Sequence, residues 1–304
     1  MNPTTVRRSA LYTPGANPTV LLKAARSNAD VLIFDLEDAV APDAKAEARH
    51  HVVCALSEAA IQARSVVVRV NGLGTPWCEE DVRAIARAGM TGVLFPKINT
   101  EQDVKTAELM LSMHGVPRST ELWCMIETPR SILNVQAIGQ LALQKGSRMS
   151  TWVLGTNDLV KDLRARHTPG RENLMPILTT ALLAARASGL CILDGVHNDV
   201  KDTTGFESTC LQGRHMGFDG RTLIHPGQID ACHDAYSPTE SEIADAREVI
   251  DAFSLPENLG KGVIKVKGRM VELLHADIAR QTLAVADAIG LTHLAESAAA
   301  RMSQ

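Results

Sequence analysis

Short apolar, β-branched runs punctuate the chain, and stretches with helical periodicity separate them. Eight such runs stand out: Ser9–Thr13, Val31–Asp35, Val66–Val70, Gly92–Phe95, Leu122–Ile126, Thr151–Leu154, Leu190–Leu193 and His215–Phe218. Most are apolar at nearly every position, as in parallel strands covered on both faces. They recur roughly every 20–40 residues, which is the spacing of βα units. Between them, Ala44–Ala63 predicts a helix opened by Pro42-Asp43, with Asp43 as its cap. Glu101–Met113 follows Thr100, another capping residue, and Arg171–Ser188 ends at Gly189, which suits a left-handed helix end. Eight alternating units predict an α/β fold, a closed (β/α)8 TIM barrel over residues 1–237, because closure removes both unpaired sheet edges.

Residues 238–304 lie beyond the eighth unit. Pro238-Thr239-Glu240 opens another helix, with Thr239 as cap and Glu242 in the capping-box position. Gly260–Lys267 reads as an extended, hairpin-like crossing, Met270–Ile289 as a final amphipathic helix, and the Ala-rich Glu296–Gln304 as a frayed end. This helical C-terminal extension is free to dock on its own barrel or to reach a neighbouring subunit; contact with a neighbour is the expectation.

Composition narrows the class. Hydrophobic residues are 45% of the 304 positions and aromatics only 3%, so the core is aliphatic. A net charge of −4 argues against nucleic acid or an anionic membrane as the main partner. The apolar runs are far too short to span a bilayer, and Met1–Thr5 shows no signal-peptide segment. Six cysteines without CxxC spacing read as thiols of a reducing compartment, so a cytoplasmic location is expected.

A barrel of this kind places chemistry at the C-terminal ends of its strands, where eight loops converge. The second run ends in Asp35-Leu36-Glu37-Asp38, the third carries Arg69 and Asn71, and the fourth is followed by Pro96-Lys97. Glu127 follows the fifth, Asn157-Asp158 the sixth, Asp194 the seventh and Asp219 the eighth. Solvated strand ends alone do not explain this preponderance of carboxylates. Carboxylates without His or Cys at ligand spacing suit a hard cation, and Glu127 with Asp158, on neighbouring strands, predicts a Mg2+ site. Arg69 interrupts an apolar run, where an unpaired guanidinium is costly. It pairs with a carboxylate such as Glu37, or faces an anionic substrate, or does both. Lys97 is expected to face a ligand or an ion-pair partner, since nothing else supplies Schiff-base chemistry. His225 is either a general base or structural. Gly15, Gly72, Gly155 and Gly220 suggest tight turns, and none belongs to a phosphate-binding fingerprint. Arg7, Arg8, Lys23 and Arg26 form a basic group near the first strand.

Several segments together have a familiar order. Arg7-Arg8-Ser9 to Tyr12-Thr13-Pro14-Gly15-Ala16 is followed by Phe34-Asp35-Leu36-Glu37-Asp38-Ala39-Val40, with Lys45 and Arg49. Arg69-Val70-Asn71-Gly72, Pro96-Lys97, Ile126-Glu127-Thr128, Leu154-Gly155-Thr156-Asn157-Asp158-Leu159, Gly217-Phe218-Asp219-Gly220 and Ile224-His225-Pro226 come next. In this order the chain resembles the citrate lyase β-subunit-like family of the HpcH/HpaI aldolase superfamily, which includes malyl-CoA and citramalyl-CoA lyases. The resemblance implies Mg2+ on Glu127 and Asp158, substrate on Arg69, and a supporting acidic cluster at Asp35 and Glu37. Tyr12 and Lys23 match an aromatic and a lysine that contact coenzyme A, and Pro96 and Lys97 fall in a matched segment taken to line the substrate. The family assembles as trimers or their multiples, so a homotrimer or hexamer is expected. Gly268-Arg269-Met270-Val271-Glu272 matches a motif whose terminal aspartate completes a neighbouring subunit's site; here glutamate extends the reach by one methylene.

The implied activity is Mg2+-dependent retro-Claisen cleavage of a 3-hydroxyacyl thioester to a 2-oxo acid and an acetyl thioester. Its substrate is of the malyl-CoA, citramalyl-CoA or citryl type, carried on coenzyme A or on acyl carrier protein. Arg69 would stabilise developing charge and Glu272 would protonate the enolate, while Asp35, Glu37 and a water remain open as the base. The alternatives are an Mg2+-dependent aldolase for a free oxo or hydroxy acid, and an idle barrel with a binding or scaffold role.

Overall fold

The structure is a computed structural model that describes residues 5–58 and 60–291; Glu296–Gln304 lies outside them. Eight parallel strands close in sequence order into a barrel: β1 Ser9–Pro14, β2 Val31–Asp35, β3 Ser65–Arg69, β4 Gly92–Phe95, β5 Glu121–Ile126, β6 Met149–Leu154, β7 Cys191–Asp194 and β8 Gly220–Leu223. β1 pairs with both β2 and β8, with Ser9 opposite Arg221. The fold is the (β/α)8 TIM barrel that the alternation predicts.

Strand alternation divides the side chains between two cores. Ala10, Val31, Ile33, Val67, Leu94, Trp123, Met125, Val153 and Leu193 fill the barrel, and Tyr12 packs against them. The opposite faces pack on the surrounding helices in a larger cluster that includes Phe34, Val68, Phe95 and Trp152. The inward register continues to the strand ends. It carries Val31 and Ile33 on to Asp35, Val67 on to Arg69, and Trp123 and Met125 on to Glu127. One two-residue period thus supplies an apolar plug below and a charged mouth above.

Several elements follow their sequence signals. Helix α4 (Glu101–Met113) carries a capping box from Thr100 and Asp103, and Gly189 has φ +68°. Thr239 and Glu242 likewise cap α10 (Glu240–Ser254). Other boundaries differ. His215–Phe218 is not a strand: His215 and Met216 end α8 (Thr203–Met216), and Gly217 caps it at φ +105°. The eighth strand is Gly220–Leu223, which hides from an apolar pattern because it carries buried Arg221 and Thr222. Asp219 therefore precedes its strand, where it pairs with Arg186 at 2.9 Å and accepts the Ile192 N–H at 2.7 Å. Asp194 faces outward from β7, opposite in register to the inward Leu193, and pairs with Arg171 at 2.7 Å. Neither is part of the mouth.

Helix α2 runs from Lys45 to Glu58 instead of reaching Ala63, and the short 3-10 turn before it has Ala41, not Asp43, at its cap. Helix α7 (Met175–Ala187) starts after Arg171, whose φ of +56° leaves the helical region. Beyond Tyr236 the chain forms a second compact unit. It holds α10, the antiparallel hairpin β9 (Val263–Val266) with β10 (Arg269–Glu272), and α11 (Leu273–Ala288). The last helix therefore begins after Glu272, because Met270 is spent on the hairpin. Ile264, Val266 and Val271 pack there with Val249, Ala252 and Phe253. Among the described residues no helix is long and apolar enough to cross a membrane.

Barrel closure leaves no space for a side chain at Gly220. A Cβ there meets the carbonyl oxygens of Arg7 at 2.0 Å and Arg8 at 2.5 Å, and main-chain atoms cannot rotate away. Gly220→Ala is expected to cost about 3 kcal/mol or more, the upper range for overpacking. Urea denaturation measures it, and an unchanged midpoint would contradict this account of closure.

Candidate active site

The site is built on a buried ion pair between adjacent strand ends. Asp35 and Arg69 are register partners on β2 and β3. Arg69 grips Asp35 with two parallel bonds, Nε to Oδ1 and Nη2 to Oδ2, each 2.6 Å. The main-chain N–H groups of Glu37 and Ala39 donate to the same two oxygens at 2.9 and 3.1 Å. Burial alone would raise the Asp35 carboxyl, but the Arg69 charge and these donors outweigh it and hold it below its usual range. Removing either partner would leave an uncompensated buried charge, a loss of about 3–5 kcal/mol.

The acidic loop after β2 is held from below. The buried Lys45 on α2 donates Nζ to the carbonyls of Leu36 and Glu37 at 2.8 and 2.7 Å. Asn71 donates to the Leu36 carbonyl at 2.9 Å and to Asp81 at 2.6 Å, and Asp81 also takes Arg49 Nε at 2.7 Å. Glu37 is thereby fixed between two cations. Lys97 Nζ donates to its Oε1 at 2.6 Å, while Arg69 Nη1 lies 3.0 Å from its Oε2 as an ion pair without hydrogen-bond alignment. Burial nevertheless raises the Glu37 carboxyl above its ordinary value, against Arg69 and Lys97.

Lys97 links this network to Glu127. Its backbone is left-handed, φ +53°, which costs a β-carbon residue roughly 1–3 kcal/mol. That turn aims its N–H at Glu127 Oε1, 2.7 Å away, while its ammonium reaches Glu37. Glu127 is fully buried, and its Oε2 has no hydrogen-bond partner among the described residues. Gly155 lies against it so closely that a Cβ there would sit 2.3 Å from Oε2. Burial, then the negative charges of Glu37 and Asp158, push the Glu127 carboxyl up to about 8 despite Lys97. Asp158, in the first turn of α6 (Thr156–Asp162), pairs with the exposed Lys161 at 3.2 Å.

Tyr12, Asp35, Arg69, Glu127 and Asp158 line one cavity of about 380 Å³. Glu37 and Lys97 line a second, of about 590 Å³, which shares Asp38 with the first. Pro96 is buried in the turn before Lys97, and Lys23 is exposed in the last turn of α1 (Pro18–Ala25); neither lines these cavities. His225 is exposed, and its Nδ1 accepts the Gly227 N–H at 3.0 Å, a local cap. Glu272 is exposed in the second unit, where its N–H donates to His275 Nδ1 at 3.0 Å. Among the described residues no three His, Cys, Asp or Glu side chains form a metal cage. Glu127 and Asp158, two of the carboxylates on one cavity, instead fit Mg2+, since one oxygen of Glu127 has no partner among the described residues and Mg2+ takes one or two carboxylates and completes its shell with substrate and water.

Residues 8–226, nearly the whole barrel, match the profile of the HpcH/HpaI aldolase/citrate lyase family. The chain belongs to that family. It is 44% identical to the (3S)-malyl-CoA thioesterase of Cereibacter sphaeroides, over 93% of this chain and 95% of the relative. It is 35% identical to citrate lyase subunit beta of Escherichia coli, over 95% and 96%. The crystal structure of CitE from Mycobacterium tuberculosis, in complex with magnesium, acetoacetate and coenzyme A, superposes with a TM-score of 0.75. It covers 93% of this chain and 98% of that one at 28% identity. As a member, this HpcH/HpaI chain is an enzyme of a lyase family.

Sequence reasoning missed what supports this family member's site. Asp81 lies in a helix of ordinary polar composition, and nothing in the pattern marks it as the buried anchor of Asn71 and Arg49. Tyr12 is a candidate ligand-binding residue by resemblance, but nothing in the sequence shows that barrel closure turns it under Arg69, whose guanidinium lies 4.8 Å from its ring centroid.

The raised Glu127 carboxyl makes a prediction for metal-free protein. The folded state keeps a proton there that the unfolded chain releases, so stability falls as pH rises from about 4.5 to about 8. Asp35 acts in the opposite sense: its stabilisation is present above the ordinary carboxylate range and is lost as pH falls through its lowered value. In chelator-treated protein, Glu127→Gln should exceed the wild type in stability near pH 9 and lose that advantage near pH 5. Urea midpoints at the two pH values check this, and a pH-independent difference would show that Glu127 is not held protonated.

Proposed function

We propose that the chain is an Mg2+-dependent carbon–carbon lyase that cleaves a 3-hydroxyacyl thioester of the malyl-CoA, citramalyl-CoA or citryl type into a 2-oxo acid and an acetyl thioester. The observation that carries this reading is the buried Glu127 Oε2, unpartnered among the described residues, which shares one cavity with Asp158 and Arg69. Glu127 and Asp158 would hold the ion. Bound there, Mg2+ supplies a Lewis acid that orients the carboxylate and neighbouring hydroxyl of the acyl group and makes that hydroxyl more acidic.

The chain's own residues supply the rest. Arg69 has Nε and Nη2 committed to Asp35, while Nη1 is ion-paired with Glu37 without hydrogen-bond alignment and donates to the Met125 thioether at 3.7 Å. Nη1 is thus the group that would turn to negative charge developing on the thioester oxygen. Asp35 is a poor base, because both its oxygens already accept two hydrogen bonds and it stays ionised. That leaves Glu37, whose Oε2 accepts no hydrogen bond among the described residues, or a water of the cavity, to take the hydroxyl proton. Lys97 spends its ammonium on Glu37, so its part is to steady the acidic cluster while Pro96 shapes the turn. Lys23, exposed on α1, is suited to coenzyme A phosphates. Glu272, exposed and in the matched motif, is assigned to a neighbouring subunit's site in a homotrimer or hexamer, where it would protonate the enolate carbon.

A second reading has one observation in its favour: the relative at 44% identity is a malyl-CoA thioesterase. In that reading water attacks the thioester and the carbon–carbon bond survives. Product analysis separates the two. Purified protein with Mg2+ and malyl-CoA or citramalyl-CoA is expected to release a 2-oxo acid and acetyl-CoA, detected by mass spectrometry. Free coenzyme A with intact hydroxy acid would establish hydrolysis, and no turnover of any thioester would contradict both readings.

A further inference from the structure

Tyr12 lines the cavity, and among the described residues no oxygen or nitrogen accepts its hydroxyl. Its ring packs on the interior cluster of the barrel, and among the described residues its hydroxyl donates to the Met125 thioether at 3.8 Å. A thioether is a weak acceptor, and the half-buried Tyr12 keeps its hydroxyl's stronger hydrogen-bonding capacity for another group. Tyr12 and Met125 both line the cavity that Glu127, Asp158 and Arg69 share. The polar atom of this side chain is therefore presented to whatever enters.

The ring is also held. The Arg69 guanidinium stacks on its face at 4.8 Å, and Arg69 is itself locked on Asp35 by two bonds. Such a hydroxyl is positioned before a ligand arrives, which is the condition for strong stabilisation of developing charge. Burial, first of all, keeps the phenol protonated, and the nearby carboxylates of Glu127, Asp35 and Glu37 act in the same direction against Arg69. It is a hydrogen-bond donor and not a source of protons.

We propose that the Tyr12 hydroxyl, beside Arg69, donates a hydrogen bond to the carbonyl oxygen of the bound thioester. This rests on the thioester reading above. A divalent cation held by Glu127 and Asp158 would draw the carboxylate end of the acyl group, leaving the carbonyl for the side of the cavity lined by Arg69 and Tyr12. The oxygen at that position gains negative charge in either reaction: as an enolate in carbon–carbon cleavage, as an oxyanion in hydrolysis. Tyr12 thus serves the acyl end, although the resemblance associates its position with the nucleotide.

Tyr12→Phe keeps the ring that carries Arg69 and removes only the donor. Acetyl-CoA labelled with carbon-13 at its carbonyl, bound to the full-length protein with Mg2+, serves as the probe. Isotope-edited infrared spectroscopy should show the carbonyl stretch shifted to lower frequency on wild type relative to Tyr12→Phe, with equal thermal midpoints for the two proteins. Turnover of the thioester substrate should fall about 10²-fold in kcat with KM little changed. If both proteins bind the probe with the same carbonyl frequency, Tyr12 is not the donor while the thioester reading stands. If the wild type binds no acetyl-CoA, the thioester reading fails and takes this assignment with it.

Discussion

Everything at the mouth of this barrel depends on the bidentate contact between Arg69 and Asp35. Both side chains are buried at neighbouring strand ends, where neither charge is tolerable alone. Together they neutralise one another and leave Arg69 with one amino group and one face. The amino group meets Glu37 and the face covers Tyr12. Glu37 in turn holds Lys97, whose strained backbone aims an N–H at Glu127. A chain of contacts therefore runs from β2 and β3 across β4 to Oε1 of Glu127, beside the oxygen that has no partner among the described residues.

The consequence is a site whose electrostatics are incomplete by construction. Asp35 is fully satisfied; among the described residues Glu37 and Glu127 each have one oxygen held and one without a hydrogen-bond donor, but the free oxygen of Glu37 still has Arg69 as an ion-pair partner. A buried carboxylate in that state either keeps a proton or meets a cation. Gly155 matters for the same reason, since any side chain there would occupy the space of the free oxygen. The supporting groups, Lys45, Asn71 and Asp81, contribute by fixing the loop that carries Glu37. A positioned carboxylate needs no reorganisation when its ligand arrives, which is the main advantage of a rigid barrel rim.

Much of this was legible in the chain before folding. Apolar runs with βα spacing gave the barrel, and the charged residues at or beyond the ends of those runs gave Asp35, Arg69, Glu127 and Asp158, because strand direction places those ends at one mouth. The pattern misled where polarity is buried. Arg221 and Thr222 disguise the eighth strand, and the helix end at His215–Phe218 imitates it. Asp194 and Asp219 carry the same sequence signal as Glu127 yet serve structural pairs, since facing outward or preceding a strand depends on register, not composition. Side-chain partnership was also beyond reach: nothing local says that Lys97 turns left-handed or that Tyr12 ends beneath Arg69.

The central proposal is that Glu127 holds Mg2+ and, without it, waits in protonated form. Titration calorimetry with Mg2+ near pH 7, repeated in buffers of different ionisation enthalpy, counts the protons that leave on binding. With its carboxyl raised to about 8, Glu127 should surrender close to one proton per site, and the release should vanish well above that pH. Mg2+ binding with no proton release at pH 7, or an equal release in Glu127→Gln, would contradict the account.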